Sequence, residues 1–172
     1  MRRFVAGAVA AVGADDDVLI VSDAASCSQG YRDLLAHGPA GSRVTDTVTF
    51  AVDTLLPRLT IHRRFRALAL HPTCSSTQLG INAAVMTIAQ AVAERAVVPD
   101  GWGCCGMAGD RGLLYPELPA AATEDEVRSV AAGDFDTWAS VNRPCEIAMT
   151  RATGRPYRHI LELLDEATAG SD

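Results

Sequence analysis

Four times along this chain a short apolar run is followed by cysteine and then by a segment of helical character. Val18-Leu-Ile-Val-Ser22 precedes Cys27, Ala67-Leu-Ala-Leu70 precedes Cys74, Ala96-Val-Val98 precedes the adjacent Cys104 and Cys105, and Thr137-Trp-Ala-Ser-Val141 precedes Cys145. Strands alternating with helices predict an α/β fold, a parallel sheet flanked by helices. In such a sheet these cysteines all fall at the carboxyl edge of the strands, where open α/β sheets place their ligands. Helices that begin at that edge favour thiolate over thiol, because backbone N–H groups and the positive end of the dipole stabilise the anion.

The spacing predicts helix 1–13, strand 17–22 and helix 28–36, then a Gly/Pro-rich turn at 37–42. A helix over 45–57 follows, with Thr45-Asp46 as its cap and Val48, Val52, Leu55 and Leu56 on one face. Strand 66–70 runs into His71-Pro-Thr-Cys74, the longest helix spans 77–95, and a short strand at 96–98 leads into the cysteine loop. Beyond Pro116 and Pro119, Thr123 opens an acidic helix to Ala132. Strand 137–141 delivers Cys145, helix 145–153 ends near Gly154, and a last helix starts at Pro156. Pro144 suits a first helical turn, where its missing N–H loses no bond.

A chain of 172 residues fits one domain, and a domain of this size buries about 70% of its extended-chain surface without needing a metal to fold. A formal charge of -6 with no long basic stripe argues against a nucleic-acid surface as the main function. The one dense basic group, Arg58, Arg63, Arg64 and Arg66, reads as a solvated helix end and loop. Five cysteines without regular short spacings argue against a secreted disulfide scaffold and for reduced thiols in the cytoplasm. The run Phe4–Ala14 is too short to span a bilayer; rich in Ala and Gly and followed at once by a strand, it reads as a helix packed on the sheet rather than a signal peptide.

Thiolates are soft ligands suited to iron-sulfur clusters or zinc, and the glycines of Gly103-Cys-Cys-Gly-Met-Ala-Gly-Asp-Arg-Gly112 let backbone approach a bulky inorganic core. A single zinc needs tetrahedral convergence, whereas adjacent cysteines in extended backbone project in different directions. Cys104 and Cys105 therefore suit two metal atoms of one cluster, with Cys74 and Cys145 reaching in from neighbouring strands. Beside this reading stand a zinc-stabilised structural or assembly module, a thiol-disulfide switch using the vicinal pair, and thiols that merely fill core. Cys27 is open between a further cofactor-binding thiol and a spare buried beside the sheet. His71 is open between a metal ligand, a hydrogen-bond donor to a cluster sulfur, and a strand-end histidine paired with backbone, the plainest of the three. Asn142 either donates to the site or caps the helix beside Pro144, while Asp110 and Arg111 cap the helix after the loop and Trp102 fills core. No Ser-His-Asp order or paired-carboxylate geometry can be argued, so no catalytic residue is assigned.

His71-Pro-Thr-Cys74, Cys104-Cys-Gly106 and Asn142-Arg-Pro-Cys145 together resemble the CCG cysteine-rich domain, whose full pattern is Cys, Cys-Cys-Gly, Cys-x-x-Cys. That domain occurs in heterodisulfide reductases, glycolate oxidase iron-sulfur subunits and FAD-linked D-lactate dehydrogenases. Ser22-Asp-Ala-Ala-Ser-Cys27, Cys104 to Gly112 and Asn142-Arg-Pro-Cys-Glu-Ile-Ala-Met-Thr-Arg-Ala-Thr-Gly-Arg-Pro-Tyr157 resemble the C-terminal end of the last group. Such repeats normally occur in tandem. The resemblance implies one iron-sulfur domain over 1–172, with 1–36 the tail of a first, degenerate repeat and 45–172 the second. Ala24 and Asn142 stand where the pattern has the first cysteine of each final pair.

The resemblance further implies a CCG-like fold and an iron-sulfur cluster of the 4Fe-4S kind, with Cys74, Cys104, Cys105 and Cys145 as metal ligands, Cys27 close by, and His71, Asn142 and Gly106 around them. It implies electron relay from the flavin of an FAD-linked 2-hydroxy acid dehydrogenase acting on D-lactate or glycolate. The glycines at 103, 106, 109 and 112 do not match a dinucleotide fingerprint, and no ferredoxin-type cysteine run is present. FAD is therefore expected in a separate domain or chain, the flavin-containing dehydrogenase partner, and any membrane contact, peripheral at the inner face, is expected only through partners.

Overall fold

The computed structural model of the protein describes residues 18–35 and 43–170, with Gly7. The rest of the expected helix 1–13 and the turn at 37–42 lie outside the described residues. β1 (Ile20–Ser22) leads into α1 (Ala25–Leu35), and β2 (Val44–Asp46) pairs with β1 in parallel, Val21 opposite Thr45. α2 begins at Thr47–Phe50 and continues through a π-helical stretch, Ala51–Leu55, into a tight turn, Leu56–Arg58. β3 (Phe65–His71), α3 (Cys74–Gln78), α4 (Asn82–Val92) and β4 (Ala93–Val97) follow. After the cysteine loop come α5 (Arg111–Leu114), α6 (Glu117–Ala132), β5 (Thr137–Ser140), α7 (Arg143–Thr153), β6 (Tyr157–His159) and α8 (Ile160–Thr168).

The main sheet has the order β4-β3-β5-β6 with every pairing parallel, so the fold is α/β with helices flanking parallel strands, as the alternation of runs requires. β3 is central, and Ala67 to His71 are all fully buried, which explains a run with no polar alternation. Leu68 and Leu70 on one face meet the apolar stripes of α4 (Val85, Ile88, Ala89, Val92) and α8 (Ile160, Leu163, Leu164, Ala167). Both stripes have the spacing of a single helical face. Alternation turns Ala67, Ala69 and His71 to the other side, where α6 and α7 pack together.

The chain leaves β3 for β4 on one side, then crosses back to β5 on the other. The carboxyl ends of β3 and β5 thus flank the point where the direction of winding reverses, the crevice in which open α/β sheets bind ligands.

Several boundaries differ from those the sequence predicts. Val44–Asp46 is strand rather than the start of a helix, although Asp46 is the cap: its carboxylate accepts from Val48 N (2.9 Å) and from the Ser28 hydroxyl (2.8 Å). The helix expected over 77–95 is interrupted at Leu79–Ile81, where Gly80 takes a left-handed φ of 71°, and it gives way to β4 at Ala93. The acidic helix starts at Glu117, not Thr123, whose hydroxyl instead donates to the Pro119 carbonyl. The last helix is preceded by β6, a three-residue edge strand too short to show alternation in sequence. Pro144 in the first turn of α7 and Gly154 (φ 68°) at its end match expectation.

The arginine group is tied down locally. Arg66 makes two 2.7 Å contacts to Asp134, Arg64 donates to the carbonyls of Gln90 and Ala93, and Arg63 pairs with Glu166. Among the described residues no helix is long and apolar enough to cross a membrane.

Asp46 is buried and joins β2 to both α1 and α2. Asp46→Ala is expected to destabilise the protein by more than the about 1 kcal/mol typical of a lost cap, since Ser28 loses its carboxylate partner as well. Urea unfolding checks this, and a loss below about 0.5 kcal/mol would show the joint to be redundant.

Candidate metal centre

His71 is the last residue of β3, and its position is fixed by the ladder to β5: it lies opposite Ser140, whose hydroxyl donates to the His71 carbonyl at 2.9 Å. Thr73 then caps α3, accepting from Ser76 N while its own N–H donates to the Ser76 hydroxyl, and Cys74 opens that helix as an exposed thiol. The cysteine loop leaves β4 and is pinned to this segment by Trp102, whose indole N–H donates to the Pro72 carbonyl at 2.6 Å. The expectation that Trp102 only fills core is thereby refined, since its polar end ties two site segments together.

Within the loop, Gly106 has a φ of 74° and its N–H faces Cys104 Sγ at 3.4 Å. A Cβ at this position would stand 2.6 Å from Pro119 Cα and 2.8 Å from the Leu118 carbonyl, so the turn that orients the two thiols closes only on glycine. Cys145 sits in the first turn of α7, its N–H bonded to the Asn142 carbonyl at 2.9 Å.

These elements gather four thiols from three strand ends. Cys105 and Cys145 are buried with their sulfurs 2.9 Å apart, well beyond the roughly 2.05 Å of a disulfide. Cys74 and Cys104 are exposed, and their thiols lie close enough for Cys104 to influence the ionisation of Cys74. The vicinal cysteines therefore do not pair together: each faces a thiol from another element. A His71 ring nitrogen and the sulfurs of Cys105 and Cys145 all lie within 4.8 Å of one another. Cys27, an exposed thiol on α1, is outside that group.

The electrostatics follow from the crowding. The hydrogen bond from the Cys145 thiol pulls Cys105 down to about 4 against the opposing effect of burial, with further help from His71 and the Met107 N–H. Cys145 is correspondingly pushed far up, by that same bond and then by burial. Burial and the interaction with Cys104 raise Cys74 to about 11. Burial alone would push His71 down, but the Cys105 thiolate and Glu126 outweigh it and hold its pKa at about 9.

Glu126 is the residue that sequence reasoning missed. It is buried on α6, and both its oxygens accept from His71 Nδ1, at 2.9 and 2.8 Å. His71 is therefore not a strand-end histidine paired with backbone through its ring. Only the helical phase of α6, set by its start at Glu117, turns this carboxylate onto β3 across 55 positions of sequence. Of the two roles open to Asn142, the side-chain cap is not taken: its amide donates to the hydroxyls of Ser75 (3.4 Å) and Ser26 (3.5 Å). Asp110 makes no side-chain cap on α5.

A cluster of soft sulfur donors with one imidazole, two of the sulfurs buried and not joined in a disulfide, is a donor set suited to zinc or iron-sulfur chemistry. No protein-family model matches the chain. Among curated proteins it is similar to the glycolate oxidase iron-sulfur subunit of Escherichia coli (strain K12), 27% identical over 70 residues. Those residues are 41% of this chain and 17% of that protein.

In the metal-free protein, ultraviolet thiolate absorbance is expected to persist well below the range in which ordinary cysteines titrate, because Cys105 stays ionised down to about 4. Cys105→Ser should remove that low-pH thiolate, whereas Cys27→Ser should leave it intact. Gly106→Ala is expected to destabilise by more than about 1 kcal/mol, the scale of a glycine replaced where φ is positive, and to weaken metal retention, read by denaturation and by metal content.

Proposed function

We propose that this chain is an iron-sulfur electron-transfer domain of the CCG type, and that it serves an FAD-linked 2-hydroxy acid dehydrogenase acting on D-lactate or glycolate. The observation that carries the reading is the convergence of Cys74, Cys104, Cys105 and Cys145 from the carboxyl ends of β3, β4 and β5 at the winding switch point. In this reading those four thiolates hold the cluster, which is of the 4Fe-4S kind. The similarity to an iron-sulfur subunit supports the same chemistry.

When bound, the cluster supplies one-electron storage between donor and acceptor. The chain's own residues supply the rest. Gly106 lets the loop turn tightly enough for Cys104 and Cys105 to face different partners, and Trp102 anchors that loop to the Cys74 segment. Burial of Cys105 and Cys145 excludes water from one side, while the exposure of Cys74 and Cys104 opens the other to a redox partner. That partner is a flavin-containing domain or subunit, in which the hydride chemistry resides. In this reading 1–36 is the tail of a first repeat and 45–172 is the second.

A second reading, a zinc-stabilised structural module, is favoured by the tight His71–Cys105–Cys145 group, which on its own suits one tetrahedral ion with a fourth ligand. Protein purified without oxygen separates the two. Iron with acid-labile sulfide and a broad visible band, all lost in Cys105→Ser, is the expected result. Zinc alone in a colourless protein would transfer the site to the second reading, and folded protein without either metal would overturn both.

A further inference from the structure

We propose that His71 is itself a metal ligand, through Nε2, and that Glu126 is the positioning residue that holds it in that role. The proposal rests on the reading that the thiol cluster carries metal, and it amends that reading by one donor: the His71 imidazole takes the place of one of the four thiolates, with the Glu126 carboxylate behind it. His71 Nδ1 faces both Glu126 oxygens at 2.8 and 2.9 Å, so that nitrogen keeps its proton and Nε2 is the ring atom that a metal would take in exchange for a proton. Nε2 is buried and has no hydrogen bond of normal geometry. A His71 ring nitrogen lies within 4.8 Å of the Cys105 and Cys145 sulfurs, and with Nδ1 engaged by Glu126 the nitrogen left to ligate is Nε2.

A buried ring nitrogen whose only neighbour is a thiolate, without a well-formed hydrogen bond, is poorly satisfied and open to a stronger partner. The nearest chemistry on offer is whatever the two buried sulfurs hold. A histidine that ligates metal characteristically donates its other N–H to a carboxylate, which fixes the ring orientation and raises its basicity; the Glu126–His71 pair has that form. Placement reinforces it. His71 lies on the central strand rather than on a loop, and Glu126 lies on a sixteen-residue helix, so neither side chain has a mobile support. If the metal is an iron-sulfur cluster, replacing one thiolate by neutral imidazole raises its reduction potential relative to an all-cysteine site.

The test uses the full chain, purified without oxygen and labelled with nitrogen-15 histidine. Pulsed electron paramagnetic resonance of the paramagnetic cluster state, or X-ray absorption at the edge of whichever metal is bound, reads the ligand directly. The expected result is histidine nitrogen at the metal, retained in His62→Ala, a change at an exposed site, and lost in His71→Ala. Glu126→Gln is expected to lower metal affinity about 10–100-fold and to shift the potential while leaving a nitrogen signal. A metal shell of sulfur alone in the unsubstituted protein, which requires no variant to fold, would overturn the proposal while leaving the cluster reading standing. Absence of metal from folded protein would overturn both.

Discussion

Because β3 pairs in parallel on both edges, every connection in the main sheet must return over a face and re-enter at the amino end. All strands then empty at one edge, and residues separated by many tens of positions meet there. β3 delivers His71 and Cys74, the loop after β4 delivers Cys104 and Cys105, and β5 delivers Asn142 and Cys145. The reversal of winding between β3 and β5 leaves room at that edge that a continuously wound sheet would close. The small alanines of β3 and the apolar stripes of α4 and α8 matter chiefly because they keep this strand central and rigid.

Burying a thiolate, an imidazole and a carboxylate together is tolerable only if each compensates another. The structure does this as a relay from α6 to α7: Glu126 to His71, His71 to Cys105, Cys105 to Cys145. The surface offers a contrast. Arg66 with Asp134 has two-point geometry but is exposed, where such pairs contribute little; it links the start of β3 to the loop before β5. Ionic interactions in this protein therefore matter most where they are fewest and deepest.

The thiol geometry also bears on the rival uses of the cysteines. A switch built on the vicinal pair needs Cys104 and Cys105 to face each other, yet Cys105 faces Cys145 and Cys104 faces Cys74. That arrangement surrounds a shared centre instead of closing a small ring. It disfavours a disulfide within the vicinal pair, and it does so independently of a similarity that covers 41% of the chain.

The sequence by itself determined the layer architecture, because the run-cysteine-helix alternation encodes parallel strands, and it determined the four thiols, because each stands at a strand end. It also marked Asp46, Pro144 and Gly154 as helix ends, since those preferences are local. Short edge strands such as β2 and β6 escaped it, their identity resting on a neighbour's hydrogen bonds and not on any periodicity of their own. Which thiol faces which, and the meeting of Glu126 with His71, were decided only by the tertiary structure. Both depend on the phase at which a helix is laid across the sheet, a quantity set by the packing of whole elements and by no local preference of the chain.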